Sequence, residues 1–199
     1  GPKTREFEAA FAKYIGVKYA IGLTSCTAAL HLALLAHGVG KGDEVIVPSL
    51  TFAATANMVV NVGAKPVFAE IEEDSFNIDP KSIESKITKK TRAIIAVHYA
   101  GTAANLDTIS RIAKVHKLIL IEDAAHAAGA RYKGKFIGSS GNTTCYSFYA
   151  TKNLTTGEGG MLTTNDGKIA EFVRKNRLHG ISSDAWKRYT KEGSWRYTV

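Results

Sequence analysis

Apolar residues along the chain alternate between helical spacing and short continuous runs. Phe7, Ala10, Phe11 and Tyr14 recur every three to four positions and Gly16 ends the pattern, which predicts an amphipathic helix over Glu6–Tyr14. Tyr19–Leu23 is a strand pattern, followed by the small turn Thr24-Ser25-Cys26-Thr27 and a helical run to His37 that Gly38 stops. The alternation continues with a strand at Glu44–Pro48, a helix at Phe52–Val62, a strand at Lys65–Ile71 and a short helix at Pro80–Ile87. Next come a strand at Arg92–His98, a helix at Leu106–His116 and an apolar strand at Leu118–Ile121 that terminates in Glu122-Asp123. Gly129, Gly134, Gly138 and Gly141 mark a loop or hairpin. Beyond it lie strands at Thr143–Tyr149 and Gly160–Thr164 and a helix at Asp166–Asn176. From His179 to Val199, Trp186, Tyr189, Trp195 and Tyr197 stand among charges without a clear period.

Strands that are apolar on both faces and separated by helices describe an α/β protein, a mostly parallel sheet covered by helices. Ligands of such sheets bind beyond the carboxyl ends of the strands. Those ends carry Thr24–Thr27, Ser49–Phe52, His98–Gly101, Asp123–His126 and Ser147–Lys152, so the candidate chemistry collects on one edge.

Composition narrows the classes. With 199 residues, 45% of them hydrophobic and 22% charged, the chain is long enough to bury a substantial core as one large domain or part of a larger protein. The uncharged run Val45–Ala64 has the length of a membrane span, but Pro48, Ser49, Thr51, Thr55, Asn57 and Asn61 interrupt it, which argues against a membrane segment. No signal-peptide order is visible, and Cys26 and Cys145 are too few for a disulfide framework and lack metal-ligand spacing. A cytoplasmic protein without a metal site is the expectation. The net charge of +8 raises the possibility of nucleic-acid binding. Its basic residues are scattered without aromatic interleaving, so the expectation is a solvated surface that attracts a small anion rather than a nucleic-acid partner.

The candidate chemistry centres on Ser147-Phe148-Tyr149-Ala150-Thr151-Lys152-Asn153-Leu154-Thr155-Thr156-Gly157-Glu158-Gly159-Gly160. A lysine just past an apolar strand, with small residues after it and no charged neighbour before Glu158, is partly desolvated and suited to Schiff-base chemistry. The Ser25–Thr27 turn either offers an anion the amides and hydroxyls of a helix start or merely caps that helix. Asp123 either holds a cationic ring nitrogen or caps the next turn, and Phe52 either stacks on a ring or joins the core. His126, His98 and His179 are each a ligand neighbour or a structural histidine, and His31 reads as structural.

Four blocks resemble the DegT/StrS-type nucleotide-sugar aminotransferases, fold-type-I enzymes of pyridoxal 5'-phosphate (PLP). These are Thr24-Ser25-Cys26-Thr27-Ala28-Ala29-Leu30, Pro48-Ser49-Leu50-Thr51-Phe52, Ile121-Glu122-Asp123-Ala124-Ala125-His126 and Ser147 through Gly160. The similarity extends over essentially the whole chain, including Gly63-Ala64-Lys65-Pro66-Val67 and Leu178-His179-Gly180. The resemblance implies a three-layer αβα large domain. It implies that Lys152 carries the cofactor, Asp123 meets the pyridine nitrogen, Phe52 stacks on the ring, and Ser147, Cys26 and Thr27 lie at the phosphate, with His126 near the ring substituents. It further implies amino transfer, typically from glutamate, to a nucleotide-linked keto-deoxysugar for cell-surface polysaccharide synthesis, in a homodimer whose site borrows residues from its neighbour.

Two departures stand out. The family's phosphate turn usually reads Ser-Gly-Thr where this chain has Ser25-Cys26-Thr27, and a side chain there crowds the approach to a phosphate. The family's smaller carboxyl-terminal domain is absent, so residues 1–180 are expected to form the cofactor domain without its extreme amino terminus. Residues 181–199 are expected to start the segment leading to the missing domain, and a chain of this length is expected to bind cofactor weakly. A sugar dehydratase on the same scaffold carries a histidine where this chain has Lys152, and a non-catalytic regulatory relative need not retain both Lys152 and Asp123.

Overall fold

A computed structural model describes residues 1–180. In chain order the elements are α1 (Pro2–Ile15), β1 (Tyr19–Leu23), α2 (Cys26–Ala36), β2 (Glu44–Pro48), α3 (Ala53–Asn61), β3 (Lys65–Ala69), α4 (Pro80–Lys86) and β4 (Thr91–Val97). They continue with α5 (Leu106–His116), β5 (Ile119–Asp123), β6 (Arg131–Tyr132), β7 (Lys135–Phe136), β8 (Thr143–Ser147), β9 (Gly160–Thr164) and α6 (Gly167–Asn176). The expected domain division at residue 180 has its second part outside the described residues.

Seven strands form one sheet in the order β1-β9-β8-β5-β4-β2-β3, and β6-β7 is a separate hairpin. Strands β3, β2, β4, β5 and β8 run parallel, whereas β9 is antiparallel to both its neighbours, β1 and β8. Only β9 is reversed, so the amino end of β9 shares an edge with the carboxyl ends of the other six strands. The sheet is mostly parallel, as the sequence predicted.

The period-2 geometry of the strands sorts the core into layers. Val45 and Val47, Ala93 and Ile95, Ile121 and Cys145 pack with α2 and with Ile169, Ala170 and Val173 of α6. Their neighbours Ile46, Ile94, Ala96 and Leu120 point the other way, onto Ile109 and Ile112 of α5. Phe11 and Ile15 of α1 close a third cluster against Tyr146 and Phe148. Helix α1 starts four residues before its periodic stretch and is pinned to β1, where Glu8 accepts from the Gly22 amide at 2.8 Å and pairs with Arg177.

Two boundaries move for visible reasons. Strand β3 ends at Ala69 because the chain turns back at once, with Ile71 bridging Ile78 and Phe76 in left-handed backbone at φ 56°. Helix α3 starts at Ala53 because Phe52 is extended, at φ −70° and ψ 144°, and serves as its N-cap.

Glu122 lies fully buried beside the site, where it accepts from His98 Nε2 at 3.1 Å, Ser140 Oγ at 2.9 Å and Asn142 Nδ2 at 2.7 Å. The Ala104 amide donates to His98 Nδ1 at 3.1 Å, which leaves the ring proton on Nε2 facing the carboxylate. Burial pushes the Glu122 carboxyl up, but the hydrogen bonds from His98, Asn142 and Ser140 outweigh it, so its pKa ends below the ordinary 4.5. A carboxylate lowered by folding stabilises the native state above its unfolded pKa, and that contribution disappears as pH falls through the folded value. Stability is therefore expected to decline with acidification from about pH 4.5 downward. Glu122→Ala, which strands three donors, is expected to cost about 3–5 kcal/mol in urea unfolding near neutral pH.

Candidate active site

Six strand ends and the start of β9 place the predicted residues together. The residue pairs Leu23↔Gly160 and Ser147↔Gly160 set β1, β9 and β8 side by side. The turn leading into α2 and the segment leading to Lys152 are therefore joined across Gly160. A Cβ built at Gly160 would lie 2.2 Å from the Ser25 carbonyl carbon and 2.6 Å from the Cys26 nitrogen. Only glycine permits that approach. Gly160→Ala is expected to push the α2 start aside, lowering stability by about 1–3 kcal/mol and weakening anion binding there, as read by unfolding and by phosphate or PLP titration.

At that start, Ser25 is a cap: its Oγ accepts from the Ala28 amide at 3.1 Å and its carbonyl from the Ala29 amide at 3.1 Å. The Cys26 and Thr27 amides have no acceptor among the described residues. They sit at the positive end of the helix dipole, next to the half-buried Thr27 side chain and the buried Ser147. The cap reading of the turn therefore holds, and it leaves the Cys26 and Thr27 amides open, so capping does not exclude an anion there. The Cys26 side chain turns inward, and its Sγ lies 3.7 Å from Asp123 Oδ1. The side chain is buried on the Asp123 side of the turn. Burial first, and then the charge of Asp123, push the Cys26 thiol well above its ordinary value, so it stays protonated and can donate.

Asp123 ends β5 and is 5% exposed. Oδ1 also accepts from the Ala125 amide at 3.1 Å, and Oδ2 accepts from Thr55 Oγ1 at 2.9 Å. The carboxylate both caps the following turn and remains fixed at the sheet edge. Glu122, one residue earlier, points to the opposite face, as strand alternation requires.

Lys152 closes a turn in which its amide donates to the Tyr149 carbonyl at 2.9 Å. Its half-buried side chain lines a cavity of about 280 Å³ with Ala100, His126, Thr151 and Asn153. Its ammonium forms no ion pair among the described residues. Desolvation and then the charge of Lys152 lower the His126 pKa below 6.5, against the pull of Asp123. His126 therefore feels both charged groups and is mainly neutral near pH 7. The His126 ring also meets Tyr99 edge-on at 6.5 Å.

Phe52 is 79% exposed, so the core alternative for it does not hold. His98 is structural, bound to Glu122 and Ala104. Two residues escaped the sequence reading, Thr55 and Thr51, whose hydroxyls lie 2.7 Å apart with Thr55 on Asp123. Both had registered as polar interruptions of an apolar run, and Thr51 also as part of a strand end and of a family-like block; Thr51 precedes the start of α3, so no helical periodicity linked the two.

The DegT/DnrJ/EryC1/StrS aminotransferase family model matches residues 1–196. The chain belongs to this family. A relative in Methanocaldococcus jannaschii, the uncharacterized protein MJ1066, is 57% identical over 199 residues, which are 100% of this chain and 52% of the relative. The spore coat polysaccharide biosynthesis protein SpsC of Bacillus subtilis is 52% identical over the same span, 51% of its length. The solved structure of S. venezuelae DesV in complex with a ketimine intermediate matches with a TM-score of 0.91 and 42% identity, covering 100% of this chain and 53% of DesV. The chain spans about half the length of the curated relatives it matches. DegT/StrS aminotransferases are PLP-dependent in general, and the residues present fit that cofactor. The open amides of α2 against the cradle at Gly160 suit its phosphate, and a buried carboxylate and an unpaired lysine stand at the same edge. No helix among the described residues is long and apolar enough to cross a membrane.

Proposed function

We propose that the protein is a PLP-dependent aminotransferase that moves an amino group, with glutamate as donor, onto the keto carbon of a nucleotide-linked deoxysugar. The observation that carries this is the meeting of Lys152 and His126 in one cavity beside Asp123 and the open start of α2. In this reading PLP supplies the aldehyde that exchanges amino groups and the ring that accepts the electron pair left by proton removal.

The protein's own residues do the rest. Lys152 would hold the cofactor through its amine, and the same amine would carry the proton at the substrate carbon. Asp123 keeps a proton on the ring nitrogen by charge, from a carboxylate whose other contacts are already satisfied. Thr27, Ser147 and the first amides of α2 receive the phosphate, and the exposed ring of Phe52 is available to lie on one face of the cofactor. His126 acts as a neutral hydrogen-bonding partner. The surplus of basic residues favours doubly anionic substrates such as nucleotide sugars. The whole protein works as a homodimer in the cytoplasm, with the remaining half of the chain shaping sugar selectivity. The similarity to SpsC supports a role in polysaccharide synthesis.

The test is reduction of the PLP-treated protein with borohydride, peptide mapping, and a single-turnover reaction with glutamate. Label on Lys152 and release of 2-oxoglutarate are expected. Label spread over surface lysines, with no glutamate reaction, would overturn the reading.

A further inference from the structure

Thr55 is 0% exposed, in the first turn of α3, and its hydroxyl lies between two oxygens: Asp123 Oδ2 at 2.9 Å and Thr51 Oγ1 at 2.7 Å. A carboxylate only accepts, so the single Thr55 proton goes to Asp123. The Thr51–Thr55 contact then needs the other hydroxyl as donor, so Thr51 donates to Thr55. The relay has one permitted direction, from Thr51 through Thr55 to Asp123. Oδ1 is held separately by Ala125 and Cys26. Thr51 and Thr55 flank Phe52, whose carbonyl accepts from the Thr55 amide at 3.1 Å. One turn of chain therefore orients the carboxylate and also carries the exposed aromatic ring.

We propose that Thr55, oriented by Thr51, is a positioning residue that aims the Asp123 carboxylate at the cofactor's ring nitrogen and fixes the position of Phe52 relative to it. The inference rests on the reading that Asp123 meets that nitrogen. Valine in place of Thr55 keeps the shape and removes the donor. A hydrogen bond to a charged group is lost and the carboxylate can rotate, so PLP affinity is expected to fall roughly tenfold or more. Serine restores the hydroxyl and should recover most of it.

A purely structural defect would weaken every ligand alike, so the deciding probe is 1-deazapyridoxal 5'-phosphate, in which carbon replaces the ring nitrogen. Binding of PLP and of this analogue is titrated fluorimetrically to the full-length protein, wild type and with Thr55→Val, Thr55→Ser, Thr51→Val and Asp123→Asn. The wild type is expected to prefer PLP, and Thr55→Val and Asp123→Asn are each expected to erase most of that preference. Thr55→Ser should keep it, and Thr51→Val should reduce it in part. If Asp123→Asn abolishes the preference and Thr55→Val leaves it intact, the positioning role is wrong while the Asp123 reading stands. Equal binding of both compounds by the wild type would overturn the Asp123 reading and this inference with it. Parallel loss of both ligands in Thr55→Val, with an unchanged ratio, would make Thr55 structural only.

Discussion

Lys152→Ala is expected to remove both the borohydride-fixed label and transamination. In the proposed reading the amine that holds the cofactor also carries the proton, and no other lysine among the described residues lines the cavity. Loss of the proton transfers alone predicts a fall in rate of about 10²–10⁴-fold, with the covalent attachment lost in addition. Lys152 is half-buried and forms no ion pair among the described residues, so the variant should fold normally. Its thermal midpoint should stay near that of the wild type while glutamate turnover disappears in a stopped-flow assay. An alanine variant that still turns over within tenfold of the wild type would remove Lys152 from the chemistry.

Asp123→Asn should have the second largest effect. The substitution keeps the volume and the Thr55 contact but replaces an anion by a neutral amide at a site that is 5% exposed. Truncating one member of a buried, hydrogen-bonded charge pair costs about 2–5 kcal/mol, here in binding the protonated ring. Equilibrium PLP titration should therefore weaken substantially, and the rate of proton removal from bound glutamate should fall because the ring accepts electrons less well. The amide also presents N–H groups to Ala125 or Cys26, both already donors. The unfolding midpoint separates that packing cost from the loss of binding. Unchanged affinity and rate would mean that Asp123 only caps its turn.

Much of this was legible from the chain itself. Strands β1, β2 and β9 and helix α5 fall on their predicted residues, since each has an uninterrupted pattern bounded by glycine, charge or a capping asparagine. Strand direction was less legible. A strand buried on both faces looks the same whether it runs parallel or antiparallel, so nothing in Gly-Met-Leu-Thr-Thr announced that β9 is reversed. At the candidate site, Lys152, Asp123 and His126 could be singled out because their residue types are conspicuous at strand ends. Thr55 was missed because a hydroxyl on an apolar helix carries no mark of its partner, which is 68 residues away. Cys26 was placed by its neighbours in the turn, but only the three-dimensional arrangement could turn its side chain toward Asp123 and leave its amide outside.

The reversed strand also has a consequence for how the protein is made. Strand β1 leaves the ribosome well before its partner, Gly160–Thr164. Until that segment emerges, the β1 edge and the start of α2 have nothing to dock on, while the parallel block β2–β5 already has its members. Pairings this distant in sequence form slowly and leave apolar edges exposed in the interval. Nascent chains that stall before Gly160 would carry a partly assembled sheet without the close junction between Gly160 and the start of α2. A ligand bound at the junction of β1, β9 and α2 therefore could not template the early stages of folding, and could hold the sheet together only after β9 has been inserted.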